Sequence, residues 1–249
     1  MKVIASIEAR TGSKRLPNKV MKLILGKPML ELMIERVKRA TKIDEIIIAT
    51  SDKKDDDVIE ELAAKLGVKC FRGSEDDVLD RVLKAAKSIN GDLIVELWGD
   101  TVLIDPEIID AAVEYYLDNN YDCVGTCLDK KFPWGESLLV FSTKVLDEVS
   151  KLTQDPVDRE NVSTYIYQNP DRYKTGHLPC PPEIKRPELR LVVDELPDFE
   201  LMEKIFKHFY LTKPDFNTKD IIDYLDNNPE MAKMNKDVKQ RVPKKEENV

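Results

Sequence analysis

Hydrophobic positions follow two rhythms along the first half of the chain. Short runs dense in apolar residues ("KVIASI", "EIIIATS", "VKCFRG", "DLIVELWG" and "YDCVGTCL") alternate with longer stretches whose apolar residues fall three and four apart. The first rhythm predicts strands and the second predicts amphipathic helices. The helices fall at 28–40, 57–67, 76–89 and 105–120. Gly67 is placed to end the second, and Asp76 and Asp77 put negative charge into the first turn of the third. Asp105 caps the fourth, with Pro106 at its first position. Strictly alternating strands and helices imply βαβ units: a mainly parallel sheet with helices on both faces.

From about Lys130 the rhythm breaks. "KKFPWGESLLVFS" reads as an irregular segment followed by an edge strand, "NVSTYIYQNP" as a helix and "LRLVV" as a strand. "ELPDFELMEKIFKHFY" and "TKDIIDYLDNNPEM" read as helices, and "KQRVPKKEENV" as a charged, frayed tail. We expect one domain over 1–235, with 130–180 as an irregular elaboration and 236–249 as the tail.

Composition narrows the classes. A hydrophobic fraction of 42% suffices for a core, and a formal charge of −8 argues against nucleic-acid or anionic-membrane partners, which want a basic face. No run approaches the length of a membrane span, and "MKVIASIEAR" meets a charge too soon for a secretory leader, so a cytoplasmic protein is expected. Cys70, Cys123, Cys127 and Cys180 are scattered, with no second pair and no nearby histidine to make a zinc site. They read as reduced, buried thiols.

In an acidic chain, concentrated positive charge is informative. "ARTGSKRLPNKVM" sets Arg10, Lys14, Arg15 and Lys19 around Gly12 directly after the first strand. In a parallel sheet, ligands bind beyond the carboxyl ends of the strands. Gly12 admits a close backbone approach, and Arg10, Arg15 and Lys19 could bracket phosphates, although neither the P-loop nor the dinucleotide glycine spacing is present. The loop could equally be a solvated basic turn. Asp100, in "LWGDTVLIDP", ends another strand and suits a hard cation such as Mg²⁺, or else caps a turn. Asp194, in "LRLVVDELPDFE", offers a second carboxylate, or caps the helix that follows together with Glu195 or Asp198. The acidic run from Asp52 to Asp57 is better explained as a solvated helix start.

Together these segments resemble the cytidylyltransferases that activate sugars: the acylneuraminate and deoxy-octulosonate enzymes, and most closely their spore-coat polysaccharide relatives. The resemblance runs through "IEARTGSKRLPNKVM", "IIATSDKKDDDVI", "FRGSEDDVLDRVLKAA", "GDTVLIDPEIID", "LRLVVDELPDFELM" and "DFNTKDIIDYLDNNPEM", in order, to about Asn235. It implies a Rossmann-like nucleotidyltransferase fold, a three-layer α/β/α sandwich with a mixed, mainly parallel sheet. It also implies transfer of a nucleoside monophosphate, usually from CTP, to a small acceptor with release of pyrophosphate. Carried over by motif, Ala9, Arg10, Gly12, Ser13, Arg15 and Lys19 hold the triphosphate, Ser74 and Arg81 lie on the base and ribose side, and Asp100 and Asp194 hold Mg²⁺. Arg15, Lys19 and Asp100 would be the catalytic set, and a homodimer is expected, with an exposed Phe132 and Trp134 in its contact.

The departures lie on the acceptor side. Where the relatives have an arginine and a small residue, this chain has Glu96 and Trp98. Trp134 is introduced, Leu139 replaces a usual glutamate, and the segment Arg159, Glu160, Asn161, Val162, Ser163 lacks the relatives' histidine. Trp98, Trp134 and Arg159 are the expected acceptor residues, for a sugar, a sugar acid, a polyol or a small phosphate or phosphonate. Rival readings are a GTP-using enzyme acting on a sugar phosphate, a glycosyltransferase-like protein and a degenerate nucleotide binder. The glycosyltransferase reading is weakened by the missing second aspartate after Asp100.

Overall fold

A computed structural model describes residues 1–240. Nine strands and ten α-helices are named in chain order. The strands are β1 (Val3–Glu8), β2 (Leu23–Ile24), β3 (Lys27–Pro28), β4 (Glu45–Ser51), β5 (Lys69–Gly73), β6 (Leu93–Trp98), β7 (Cys123–Gly125), β8 (Leu139–Ser142) and β9 (Thr175–His177). The helices are α1 (Met29–Val37), α2 (Asp57–Leu66), α3 (Val78–Ser88), α4 (Pro106–Asp118), α5 (Thr143–Leu152), α6 (Pro156–Glu160), α7 (Thr164–Tyr167), α8 (Leu196–Phe209), α9 (Thr218–Asn227) and α10 (Pro229–Ala232). No helix among the described residues is long and apolar enough to cross a membrane.

The main sheet has the order β5-β4-β1-β6-β8-β7-β9. β1 sits between β4 and β6, parallel to both, and β4 is parallel to β5. β8 runs antiparallel to β6 and to β7, and β9 is parallel to β7, so the sheet is mixed and mainly parallel. Side chains alternate across each strand. Val3, Ala5 and Ile7 enter one core with α1, α2, α4, α8 and α9, whereas Ile4, Ile47 and Ile94 enter a second core with α3, α5 and α7. The three-layer architecture expected from the sequence is therefore present.

The amphipathic helices stop where their ends dictate. α2 ends at Gly67, whose φ of 66° is the left-handed conformation that glycine takes without cost. α3 is capped by Asp77, which accepts from the Asp80 N–H at 3.0 Å, and α4 by Asp105 with Pro106 behind it.

The second half differs from the expectation in specific ways. β8 is internal, not an edge strand: after β7 the chain doubles back and fills the gap beside β6, burying Leu139, Val140 and Phe141. The segment "LRLVV" joins no strand. Its amides are used against other loops instead: Trp134 N–H donates to Leu189 O at 2.9 Å, and Val193 N–H donates to Asp100 O at 3.0 Å. That backbone-on-backbone contact needs Gly135, at φ 115°, where a Cβ would fall 2.4 Å from Leu191 O. Helix in "NVSTYIYQNP" is confined to α7, while α5 and α6 were not anticipated, although Ser142 and the Asp155–Pro156 pair are legible caps. The β2–β3 hairpin and edge strand β9 were also not anticipated. Phe132 is 5% exposed and belongs to the first core, so it cannot serve as an exposed dimer contact.

Candidate active site

The cation-rich loop leaves β1 at the carboxyl end of the sheet and is held from below. Thr11 donates to Asp56 Oδ1 twice, from its backbone N–H and its hydroxyl, each at 2.7 Å, and the Ser51 hydroxyl donates to Asp56 Oδ2. Burial alone would raise the Asp56 carboxyl, but the bonds from Ser51 and Thr11 outweigh it and hold it below its ordinary value. This corrects the reading of Asp52 to Asp57 as a solvated helix start. Asp52 and Asp55 are exposed, whereas Asp56 is 2% exposed and anchors the loop. The spacing of "DKKDDD" did not single Asp56 out, because only the tertiary fold sets Thr11 against it.

Thr11 O in turn accepts from Ser13 N–H at 2.8 Å and Asn18 N–H at 3.1 Å, closing the loop on itself. Asn18, at φ 54°, turns the chain into a 3-10 turn (Lys19–Met21) that starts with Lys19. Ala9 is buried at the loop's root, Gly12 is exposed at its tip, and the Ser13 hydroxyl accepts from Leu16 N–H at 3.4 Å.

Lys19 is the hub. Its ammonium lies 2.8 Å from Asp100 Oδ2, 2.9 Å from Val193 O and 3.2 Å from Asp194 Oδ1. Burial works against the charge on Lys19, yet Asp100 and Asp194 more than offset it and raise its pKa. Arg15 reaches the same Asp194 Oδ1 at 2.7 Å and Glu195 Oε1 at 3.4 Å. Arg190 takes Asp194 Oδ2 at 2.7 Å. Asp194 is thus ringed by three cations. Burial raises its pKa, but the charge of Lys19 and the contacts of Arg190 and Arg15 prevail and hold it down.

Helix capping does not consume Asp194. Glu195 caps α8 in a reciprocal box with Asp198. Asp198 is fully buried: its Oδ2 accepts from the Asp194 and Glu195 N–H groups, both at 2.9 Å, and its Oδ1 accepts from Arg190 Nε at 2.9 Å. The Asn235 amide closes the cluster on Asp198 Oδ1 at 2.8 Å. Lys239 O lies 3.4 Å from Arg15 Nη1, and Gln240 bonds Arg190. The rest of the expected tail, 241–249, lies outside the described residues. Sequence reading missed Arg190, Asp198 and Asn235 as parts of the site.

The opposite flank carries Arg10, Ser74 and Arg81. Arg10 pairs with Glu75 at 3.1 Å, and buried Arg81 donates to Ser74 O at 2.5 Å and Glu75 O at 3.3 Å. The Ser74 hydroxyl accepts from Asp77 N–H at 3.0 Å. A cleft of about 400 Å³ opens here between Lys53, Phe71, Ser74 and Asp80. The three expected acceptor residues have different neighbours. Trp98 is half-buried against the second core, the backbone of Trp134 bridges to the 189–191 segment, and Arg159 pairs with Asp77 at 2.5 Å. His208 stacks on Tyr224 with ring centroids 4.1 Å apart, away from the loop.

Among the described residues, no group of three or more His, Cys, Asp or Glu is arranged to hold a metal. Two carboxylates distant in sequence do converge, Asp100 just after β6 and Asp194 just before α8, because both contact one ammonium. That donor set fits a hard cation such as Mg²⁺, which takes one or two carboxylates and completes its shell with phosphate oxygens and water.

Comparison with known proteins adds the following. Residues 4–241 match the model of a family described as cytidylyltransferase. An uncharacterized protein of Methanocaldococcus jannaschii is 44% identical over 241 residues, covering 97% of both chains. The spore coat polysaccharide biosynthesis protein SpsF of Bacillus subtilis is 30% identical over 235 residues, covering 92% of this chain and 96% of that one. A solved cytidylyltransferase from Leptospira borgpetersenii superposes with a TM-score of 0.88 at 31% identity, covering 97% of this chain and 99% of that one.

Proposed function

This chain belongs to the cytidylyltransferase family, and from that premise we propose that it transfers the cytidylyl group of CTP to a small hydroxylated or phosphorylated acceptor, releasing pyrophosphate with Mg²⁺ as cofactor. The observation that carries this reading is the convergence of Lys19 and Arg15 with Asp100 and Asp194 beyond the carboxyl ends of the strands. Four residues of opposite charge are matched against one another there, in a geometry that a polyanion and its counter-cation would exchange into.

In this reading the triphosphate draws Arg15 and Lys19 off the carboxylates, leaving Asp100 and Asp194 to hold the cation. When bound, Mg²⁺ supplies electrostatic polarisation of the phosphate oxygens. An acceptor oxygen attacks the α-phosphorus in line as the bond to the β-phosphate bridging oxygen breaks, and pyrophosphate leaves with the electron pair. Lys19 and Arg15 stabilise the negative charge growing on that leaving oxygen. Ser74, which lines the 400 Å³ cleft, would face the base and ribose, with Arg81 holding the Ser74 and Glu75 carbonyls from behind. Asp56 fixes the root of the loop through Thr11 while its cations are recruited.

The test is thermal stability with CTP, GTP, UTP and ATP, each with and without Mg²⁺. Ligand at 100 times its dissociation constant stabilises by about 2.7 kcal/mol, a shift of several degrees for a chain of this size. The expected outcome is a Mg²⁺-dependent shift with CTP well above the others. No shift with any triphosphate would overturn the reading.

A further inference from the structure

Arg190 is gripped at both ends by segment 235–240. Asn235 is 2% exposed, and its side-chain amide donates to Arg190 O at 2.9 Å and to Asp198 Oδ1 at 2.8 Å. At the other end of the segment, Gln240 Oε1 accepts from Arg190 Nη1. Between them the chain turns, with Val238 N–H donating to Asn235 O at 3.1 Å. The segment is therefore a clasp: one residue holds the arginine's carbonyl and another its guanidinium. Residues 236–240, expected as part of a frayed tail, are tied into the site.

The clasp fixes the direction in which the guanidinium faces. Nε donates to Asp198 Oδ1 at 2.9 Å, Nη2 to Asp194 Oδ2 at 2.7 Å, and Nη1 to Gln240. The group is planar, so partners on all of its nitrogens leave it no freedom to rotate. Only 8% of the side chain is exposed, which keeps solvent from replacing these partners.

The two oxygens of Asp194 consequently have unlike surroundings. Oδ1 meets Arg15 at 2.7 Å and Lys19 at 3.2 Å, both carried by the cationic loop and its 3-10 turn. Oδ2 meets Arg190, which Asp198 and the clasp hold in place. A polyanion arriving at the loop can recruit Arg15 and Lys19, whereas Arg190 keeps its partners. Oδ1 is then released and Oδ2 is not.

We propose that Arg190, clasped by Asn235 and Gln240, is a positioning residue that makes Asp194 a one-oxygen ligand, so that the site selects a small divalent cation over a large one. Mg²⁺ demands a near-octahedral shell, whereas Ca²⁺ takes more ligands and accepts both oxygens of one carboxylate. Holding back Oδ2 denies the larger ion its extra ligand. This role rests on the nucleotidyl-transfer reading for the triphosphate that vacates Oδ1.

Two measurements test it. In calorimetry, a non-transferring α,β-methylene analogue of CTP is titrated into protein saturated with Mg²⁺ or with Ca²⁺. Wild type should bind the analogue more tightly with Mg²⁺. Arg190→Met should reduce that preference about tenfold or more, the usual scale for a residue that orients a metal ligand. Gln240→Ala, which removes a single partner of Arg190, should move it the same way by about threefold, the worth of one hydrogen bond. Gln240→Glu keeps an acceptor for Arg190 and should keep the preference. A clasp that merely tied down the fold would weaken both complexes alike, and an unchanged preference in Gln240→Ala overturns the proposal.

Crystals of Lys19→Met soaked in Mn²⁺ probe the coordination without nucleotide. Mn²⁺ is expected on Asp194 Oδ1, with Oδ2 still on Arg190. An ion held by both oxygens of Asp194, or no ion beside that carboxylate, overturns the proposal. Failure of the analogue to bind wild type with either cation would instead strike the nucleotidyl-transfer reading, leaving the Mn²⁺ soak to judge Arg190.

Discussion

The Lys19 ammonium sits 2.8 Å from the Asp100 carboxylate although the two residues are 81 positions apart. The 3-10 turn after the cationic loop delivers one and the end of β6 delivers the other. With Asp194 on its far side, this lysine holds the two carboxylates together.

Lys19→Met should lower kcat for pyrophosphate release by about 10²–10³-fold, the usual loss for one transition-state charge partner. It should also lower the unliganded melting temperature near neutral pH. The Asp194 carboxyl is held below its unfolded value partly by Lys19, so the stability this supplies is present above the unfolded pKa and is lost as pH falls through the folded one. The gap between variant and wild type should therefore close in acid, as followed by melting curves at several pH values. A gap that widens in acid would contradict this.

Asp198→Asn probes positioning. Asp198 touches the backbone of Asp194 and Glu195 and the side chains of Arg190 and Asn235, and makes no hydrogen bond to the cationic loop. Removing its charge leaves Arg190 buried beside a neutral amide, which should destabilise by about 3–5 kcal/mol. The functional signature is a Mg²⁺ half-activation concentration raised about 10–100-fold, as for other residues that orient metal ligands, with CTP affinity changed far less. Equal loss of both would mean general unfolding.

Glu136 governs a pH effect remote from the site. It is fully buried, accepts from Asp105 N–H at 2.9 Å and lies 2.8 Å from the Thr218 hydroxyl. Burial, then the nearby Asp105 charge, pushes its pKa up to about 8. The folded state thus holds a proton that the unfolded state has released, so wild-type stability should fall as pH rises from about 4.5 to 8 and level off above. Glu136→Gln keeps the shape and donates to Thr218 without needing that proton. Its unfolding free energy should be flatter over this window and exceed the wild type near pH 8.

Gly135→Ala should be among the most damaging small changes. The added Cβ meets Leu191 O at 2.4 Å, and the φ of 115° is itself costly for alanine. We expect about 2–4 kcal/mol of destabilisation by denaturant titration. Mg²⁺-dependent nucleotide binding should weaken with it, because the displaced 191–193 segment leads directly to Asp194.

The sequence shows the first half of the fold because its signals there are local. Apolar periodicity and the caps at Asp77, Asp105 and Gly67 are read from neighbouring residues, and each helix began or ended within a few residues of its signal. The resemblance carried the cationic loop and its two aspartates, and the fold brings these together. The second half was less legible. "LRLVV" has strand composition, yet its backbone partners are Trp134 and Asp100, and no local signal names them.

What the sequence by itself determined is therefore the alternation of long strands and helices in the first half and the three layers, since these follow from periodicity and capping chemistry. Only the tertiary structure decided that Asp56 anchors the loop, that Arg190 and Asp198 hold Asp194, that Trp98, Trp134 and Arg159 have separate neighbours, and that burial raises the Glu8 and Glu96 carboxyls. Each is a property of charges and hydrogen-bonding groups distant in sequence. Their environment, burial and the identity of the facing group, exists only once the strands have paired.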